Sequence, residues 1–273
     1  LEDFLSDKEL VDFFEYYSSG EYQNKEVELV INGDFFDFLN VPYVKFFDDE
    51  FWSEKAALEK MDIILKAHPE VMEALASFLK TKNKTLVYII GNHDAELLFQ
   101  SMKDKFINYF PEEVRSLITI SNELTLYEPT KGVFLQHGHE YESLHYFDES
   151  SSIVESNKGD KYFIPPWGSY YVTQVINKYK LERHHVNGVR PIGTFIKHGL
   201  LFDTFFMFRF MIANAYFYFM IRFMRYYRLK LGWKKIIEDV LSELTLFQDY
   251  ESLTQSFFQK HEGSKVLIVG HTH

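Results

Sequence analysis

Short apolar runs that end in polar clusters alternate along this chain with stretches of helical periodicity, and that alternation predicts an α/β fold. Residues 27–31 read as a buried strand that runs into Asn32-Gly33-Asp34, and residues 86–90 as a second that ends in Gly91-Asn92-His93-Asp94. Residues 117–120, 124–127 and 132–136 follow as strands, the last delivering His137-Gly138-His139. Residues 265–269 form a further strand, ending in Gly270-His271-Thr272-His273. Helical spacing marks residues 6–17, with Ser6 as the expected N-cap and Glu9 completing a capping box. It also marks residues 54–67, 69–80 (Pro69 in the first turn) and about 95–105. Apolar strands therefore deliver polar clusters at their C-terminal ends again and again, which is where open α/β sheets place ligand sites.

The segment between Glu140 and Ser264 has a different composition. It is rich in Phe, Tyr and Arg and reads mostly as helix, so the expected organisation is a core over residues 1–140, a helical cap inserted over 141–263, and a returning strand with its histidine motif over 264–273. Within the insert, Asn214 is the only polar residue from Phe210 to Ile221, a run too short to span a bilayer unless Asp203 and Arg209 are buried. Arg222, Arg225, Arg228, Lys230, Lys234 and Lys235, with Tyr226, Tyr227 and Trp233, suit the headgroup boundary of an anionic membrane. A helix packed inside the cap with a solvated basic end fits the pattern equally, and both readings stand.

Charge sharpens this picture. The net charge is -11, yet Leu181 to Lys235 carries ten Lys/Arg against two acids, leaving the remainder near -19. An acidic core argues against duplex nucleic acid as a partner, whereas the basic stretch points to one surface that meets something anionic. Arg183 and Arg190 in that stretch are candidate contacts to a substrate phosphate. Cysteine is absent, which excludes disulfides and thiolate metal sites and suits a reducing compartment. No signal peptide is visible at the start of the sequence. The expected setting is cytoplasmic, with peripheral placement at the inner membrane face if the basic-aromatic insert acts at a bilayer.

Asp34, Asn92, His137, His271 and His273 are oxygen or imidazole donors on short glycine-containing loops. That mixture leans to manganese, iron or zinc. Taken singly, each cluster is ordinary turn chemistry; their joint occurrence, each after a strand, points to a metal site. The ordered set NGDFFD, GNHD, HGH and GHTH resembles the calcineurin-like metallophosphoesterases, whose motifs run GDxxD, GNHD/E, GH and GHxH. The resemblance implies a four-layered αββα sandwich carrying two divalent metal ions on its rim. Asp34 would bridge the metals, Asn92, His137 and His271 would complete one, and His273 would bind the other. His93 would protonate the leaving oxygen, with Asp94 orienting its ring. The long insert and the NGDFFDFL stretch are similar to the UDP-2,3-diacylglucosamine hydrolase group, although members of that group commonly carry Arg where this chain has His93.

The Asp-x-His motif that opens the family pattern has no counterpart in residues 1–26, and the expectation is that it lies upstream of Leu1, with further strands beyond His273. The reading is a hydrolase of a phosphoester or pyrophosphate on a small-molecule or lipid-linked substrate. Its alternative is a catalytically inactive scaffold of the same fold; a nuclease would call for a basic groove in the core.

Overall fold

The computed structural model describes residues 4–41, 49–142, 145–180, 182–183, 186, 192–223 and 250–271. The fold is mixed α/β, with helices and small sheets. Strands β1 (Val27–Asn32), β2 (Lys84–Ile89) and β3 (Ile118–Ile120) form a parallel sheet in the order β1-β2-β3. A second sheet has the order β4-β5-β8, from β4 (Leu126–Thr130), β5 (Val133–Gln136) and β8 (Val266–Val269). In it β5 runs antiparallel to β4 and parallel to β8. The Asn32 side chain at the end of β1 donates to the Gln136 carbonyl at the end of β5, 3.0 Å away, so the two sheets bring these strand ends together.

Helices follow from apolar spacing. In α2 (Glu54–Ala67) the buried positions are Ala56, Ala57, Lys60, Met61, Ile64 and Leu65, one face of a helix, and the Ser53 hydroxyl caps it by accepting from the Ala56 N–H at 3.0 Å. α3 (Pro69–Lys80) starts on proline, whose missing N–H has no partner to lose in a first turn. It packs on α1 (Asp7–Ser18) and on β2, with Phe14 of α1 and Phe78 of α3 both buried.

Three expectations change. Ser6 precedes α1 but makes no capping bond through its side chain, so the capping box does not form. The helix expected over 95–105 divides into a 3₁₀ turn, Ala95–Leu98, and α4 (Gln100–Tyr109), because buried Phe99 takes an extended backbone between them. A short helix, α5 (Glu112–Arg115), then leads to β3. Inside the segment read as helical insert, β6 (Ile153–Glu155) and β7 (Lys161–Phe163) form an antiparallel hairpin, turned by Gly159 at φ +86° and closed by Ser156 N–H to the Asp160 carbonyl at 2.7 Å.

The chain divides into two compact units. The first holds both larger sheets, α1–α5 and the β6–β7 hairpin, and comprises residues 1–139, 147–164 and 266–272. Phe36 and Phe38, both fully buried, stack on each other and anchor the loop after β1 against Tyr88 and Phe106. The loop carrying Asp34 and Asp37 is thereby fastened to the core by aromatic burial, about 1.5–3 kcal/mol for each side chain.

The second unit takes residues 140–146 and 165–265. It contains α6 (Trp167–Tyr171), a π-helical turn over Val172–Ile176, α7 (Asn177–Lys180), α8 (Ile192–Phe202), α9 (Thr204–Phe223) and α10 (Tyr250–Lys260). Helices α8 and α9 meet closely: a Cβ on Gly199 would lie 2.1 Å from the Met207 methyl. Asn214, the polar residue of the apolar run, accepts from the Tyr171 hydroxyl at 2.8 Å and donates to the Phe210 carbonyl at 2.7 Å. Among the described residues no helix is long and apolar enough to cross a membrane.

Candidate metal centre

The site forms where loops leave the C-terminal ends of β1, β2, β5 and β8. After β1 the chain turns through Gly33 (φ +78°) into Asp34, which itself adopts a left-handed φ of +55°. Such a backbone in a non-glycine residue stores strain of about 1–3 kcal/mol and persists only where surroundings enforce it. Here Asp34 Oδ1 accepts the His93 backbone N–H at 2.9 Å, and Asp34 Oδ2 lies 3.2 Å from His137 Nε2. His271, after β8, shares the left-handed backbone at φ +66°.

Glycine makes this approach possible. A Cβ on Gly33 would sit 2.1 Å from His137 Nδ1, and one on Gly91 would sit 2.3 Å from Asp34 Oδ1. The His137 ring is buried, and its Nδ1 donates to the Asn32 carbonyl at 2.7 Å. That bond fixes the tautomer and leaves Nε2 facing Asp34 Oδ2 and the buried Asn92 Oδ1, the latter 3.1 Å away. Asp34, His137 and His271 each place a ligand atom within 4.8 Å of the others, a group able to hold a metal ion. His273 lies outside the described residues. His139, the second imidazole of the His-Gly-His cluster, stacks on Phe147 with ring centroids 4.6 Å apart.

Electrostatics bind the cluster together. Partial burial opposes ionisation of Asp34, but His93 and His137 outweigh it and hold its carboxyl well below the usual carboxylate range. Burial likewise opposes charge on His137, yet its hydrogen bond and charge interaction with Asp34 raise it to about 9. For His93, burial is overcome by Asp37 and Asp34, and the imidazole is raised to about 10.

The carboxylate at the His93 ring is Asp37, whose Oδ1 lies 2.9 Å from His93 Nδ1. This corrects the expectation that Asp94 orients that ring. Asp94 is fully buried and engaged elsewhere: it accepts from the Tyr88 hydroxyl (2.5 Å), the Phe35 N–H (3.1 Å) and the Gly91 N–H (2.6 Å). Burial and the charge of Asp34 push its carboxyl up to about 7. Asp94 thus pins the two ligand-bearing loops to one another. Asp37 also accepts from the Asn40 side chain, so its carboxylate is held from both sides.

Behind Asp37 lies a pair that sequence reading missed. Lys60 and Glu96 are fully buried and bonded at 2.6 Å, and Lys60 Nζ sits 3.8 Å from the Phe51 ring centroid. Burial lowers the Lys60 pKa, against the opposing charges of Glu96 and Asp37. Its signal was present: Lys60 occupies a core position in the apolar stripe of α2.

Arg183 and Arg190 are the arginines expected at substrate. Arg183 belongs to the second unit, where its Nε donates to Asp203 Oδ2 at 2.7 Å and its guanidinium lies over the Phe206 ring. An arginine so engaged braces the α8–α9 junction, and its side chain stays 42% exposed. Arg190 lies outside the described residues. Comparison of the chain with protein-family models, with curated proteins and with solved structures finds no match.

Proposed function

We propose that this chain is a metal-dependent phosphohydrolase, built as a four-layered αββα metallophosphoesterase sandwich with a helical insertion. The observation that carries the reading is the convergence of Asp34, Asn92, His137 and His271 from four separate strand ends. Packing of α3 on β2, and the bond that joins the ends of β1 and β5, support the layered arrangement.

The donors fit a divalent cation. The Asn92 and Asp34 oxygens lie 3.1 and 3.2 Å from His137 Nε2, close enough for one ion to be shared among them. Imidazole with carboxylate and amide oxygens suits manganese, iron or zinc. Asp34, Asn92, His137 and His271 would hold one ion; Asp34 and His273 would contribute to a second. Bound divalent cations would supply Lewis acidity, lowering the pKa of water and neutralising charge on the phosphoryl oxygens.

His93 supplies the proton. Asp37 fixes one ring nitrogen and favours the imidazolium, so the other nitrogen can donate to the leaving oxygen while the phosphorus–oxygen ester bond breaks and water oxygen bonds to phosphorus. The Asp34 carboxylate accepts the His93 backbone N–H, which ties the proton donor to a metal ligand through a single bond. Asp94 keeps both loops in register.

Turnover of bis-p-nitrophenyl phosphate with added manganese tests this in the gene product that contains this chain. Manganese-dependent hydrolysis, lost in Asp34→Ala and reduced about 10²–10⁴-fold in His93→Ala, is the expected result. A protein inert toward phosphodiesters, phosphomonoesters and pyrophosphates with every one of these metals would leave a scaffold of the same fold.

A further inference from the structure

Strand β3 also ends in a loop, and the metal centre makes no use of it. Residues 121–125 leave the C-terminal end of β3 and, with the start of α4 and residues from 148 to 161, line a cavity of about 720 Å³ within the first unit. That volume is in the range of small-molecule sites, and the C-terminal ends of parallel strands are where open sheets bind ligands.

Lys103 gives the cavity its chemistry. It lines the space yet is only 8% exposed, and its Nζ donates to Asn122 Oδ1 at 2.8 Å. The Asn122 amide in turn donates to the Leu98 carbonyl at 3.3 Å, which keeps Oδ1 turned to the lysine. Asn122 is neutral, so the ammonium has an acceptor but no counter-ion from it. Burial lowers the Lys103 pKa; Asp104, whose charge opposes this, is itself held by the Gln100 side chain at 2.8 Å. A buried ammonium in this state is stabilised by an anion brought from outside. Lys103 is the fourth residue of α4, and the N-cap, Phe99, offers no side-chain acceptor, so the leading N–H groups of the helix are left to water or a ligand. Helical side chains lean toward the N-terminus, which brings the ammonium and the positive end of the helix dipole to the same part of the cavity.

Another part of the wall is acidic. Asp148 and Glu149 line it, and neither figures among the charges that act on Lys103, so the positive and negative regions stand apart. Asp148 is fixed in place by the Ser150 N–H at 2.8 Å. Exposed Glu123 and Lys161, also on the wall, offset one another in formal charge.

We propose that this cavity binds a small dipolar organic molecule, its phosphate or carboxylate at Lys103 and the N-terminus of α4, its ammonium or hydroxyl groups toward Asp148. An anion there gains charge-assisted hydrogen bonds from the lysine and from the helix N–H groups together. The inference does not depend on the phosphohydrolase reading, because none of these residues belongs to the metal donor set.

The probe is aminoethylphosphonate, whose carbon–phosphorus bond is not a phosphoester. Calorimetric titration of the gene product that contains this chain should give saturable binding tighter than about 1 mM. Lys103→Met, which keeps the buried stem, should weaken it at least about tenfold with circular dichroism unchanged, whereas Asp34→Ala should bind as wild type does. A second measurement needs no variant. Pyridoxal phosphate forms an imine with the Lys103 amine, releasing water, and borohydride reduces the imine to a stable secondary amine that peptide mapping locates. Excess aminoethylphosphonate should suppress that label. The proposal is overturned by an absence of saturable binding, by binding lost in Asp34→Ala and kept in Lys103→Met, or by a Lys103 label that is absent or that the phosphonate leaves unchanged.

Discussion

His93 Nδ1 lies 2.9 Å from Asp37 Oδ1, although the two residues are 56 positions apart, and the backbone N–H of the same histidine bonds Asp34. One residue is thus gripped by two carboxylates, one orienting its ring and one fixing its main chain. Asp37→Asn keeps the shape and removes the charge that raises His93. The variant should lose about 10–10²-fold in turnover, less than His93→Ala, and the alkaline limb of its pH–rate profile should move to lower pH. An unmoved limb would separate Asp37 from the proton donor.

Glycine 91 is required by space alone. A Cβ there would meet Asp34 Oδ1 at 2.3 Å and the Asp34 backbone nitrogen at 2.6 Å, so Gly91→Ala should displace the carboxylate and abolish stoichiometric metal binding. Elemental analysis of the dialysed variant checks this.

Metal-stripped protein should show a pH-dependent stability from the His93–Asp37 pair. His93 is raised from 6.5 to about 10 in the folded state. A raised folded pKa gives stability that is full below the unfolded value and lost as pH rises through the folded one. The thermal midpoint in chelator should therefore fall between pH 6.5 and 10, and His93→Gln should flatten part of that fall. A wild-type midpoint with the same slope as the variant contradicts the pairing.

Lys60 and Glu96 offer a test of the floor beneath the site. Each is 0% exposed, so removing one leaves the other charged and unpaired in an aromatic pocket. Lys60→Met or Glu96→Leu alone should cost about 3–5 kcal/mol in urea denaturation. The double variant should recover much of that loss, and a simple sum of the two losses would show that the pair is not coupled.

Much of this architecture is written locally. Strands β1, β2, β5 and β8 are short apolar runs bounded by glycine and polar donors, and the donors are legible because each follows directly on its strand. What escaped depends on distance. Asp37 sits in the same motif as Asp34, but its partner His93 comes from another strand end, so spacing cannot tell it from Asp94, the ring's sequence neighbour. Hairpin β6–β7 pairs three residues with three across a polar loop, too short for a periodic signal in a helix-like composition. Arg183 is basic in a basic stretch, and only its meeting with Asp203, twenty residues on, reveals a structural use.

Loops from four strand ends bring together Asp34, Asn92, His137 and His271, a donor set able to hold a divalent cation. Calorimetric titration of metal-stripped protein with Mn²⁺ tests it most directly, comparing wild type with Asp34→Ala and His137→Ala. Wild type should bind stoichiometrically, with affinity falling at least about tenfold in each variant while the fold persists. Binding that is absent in wild type, or unchanged when Asp34 and His137 are both replaced, would contradict it.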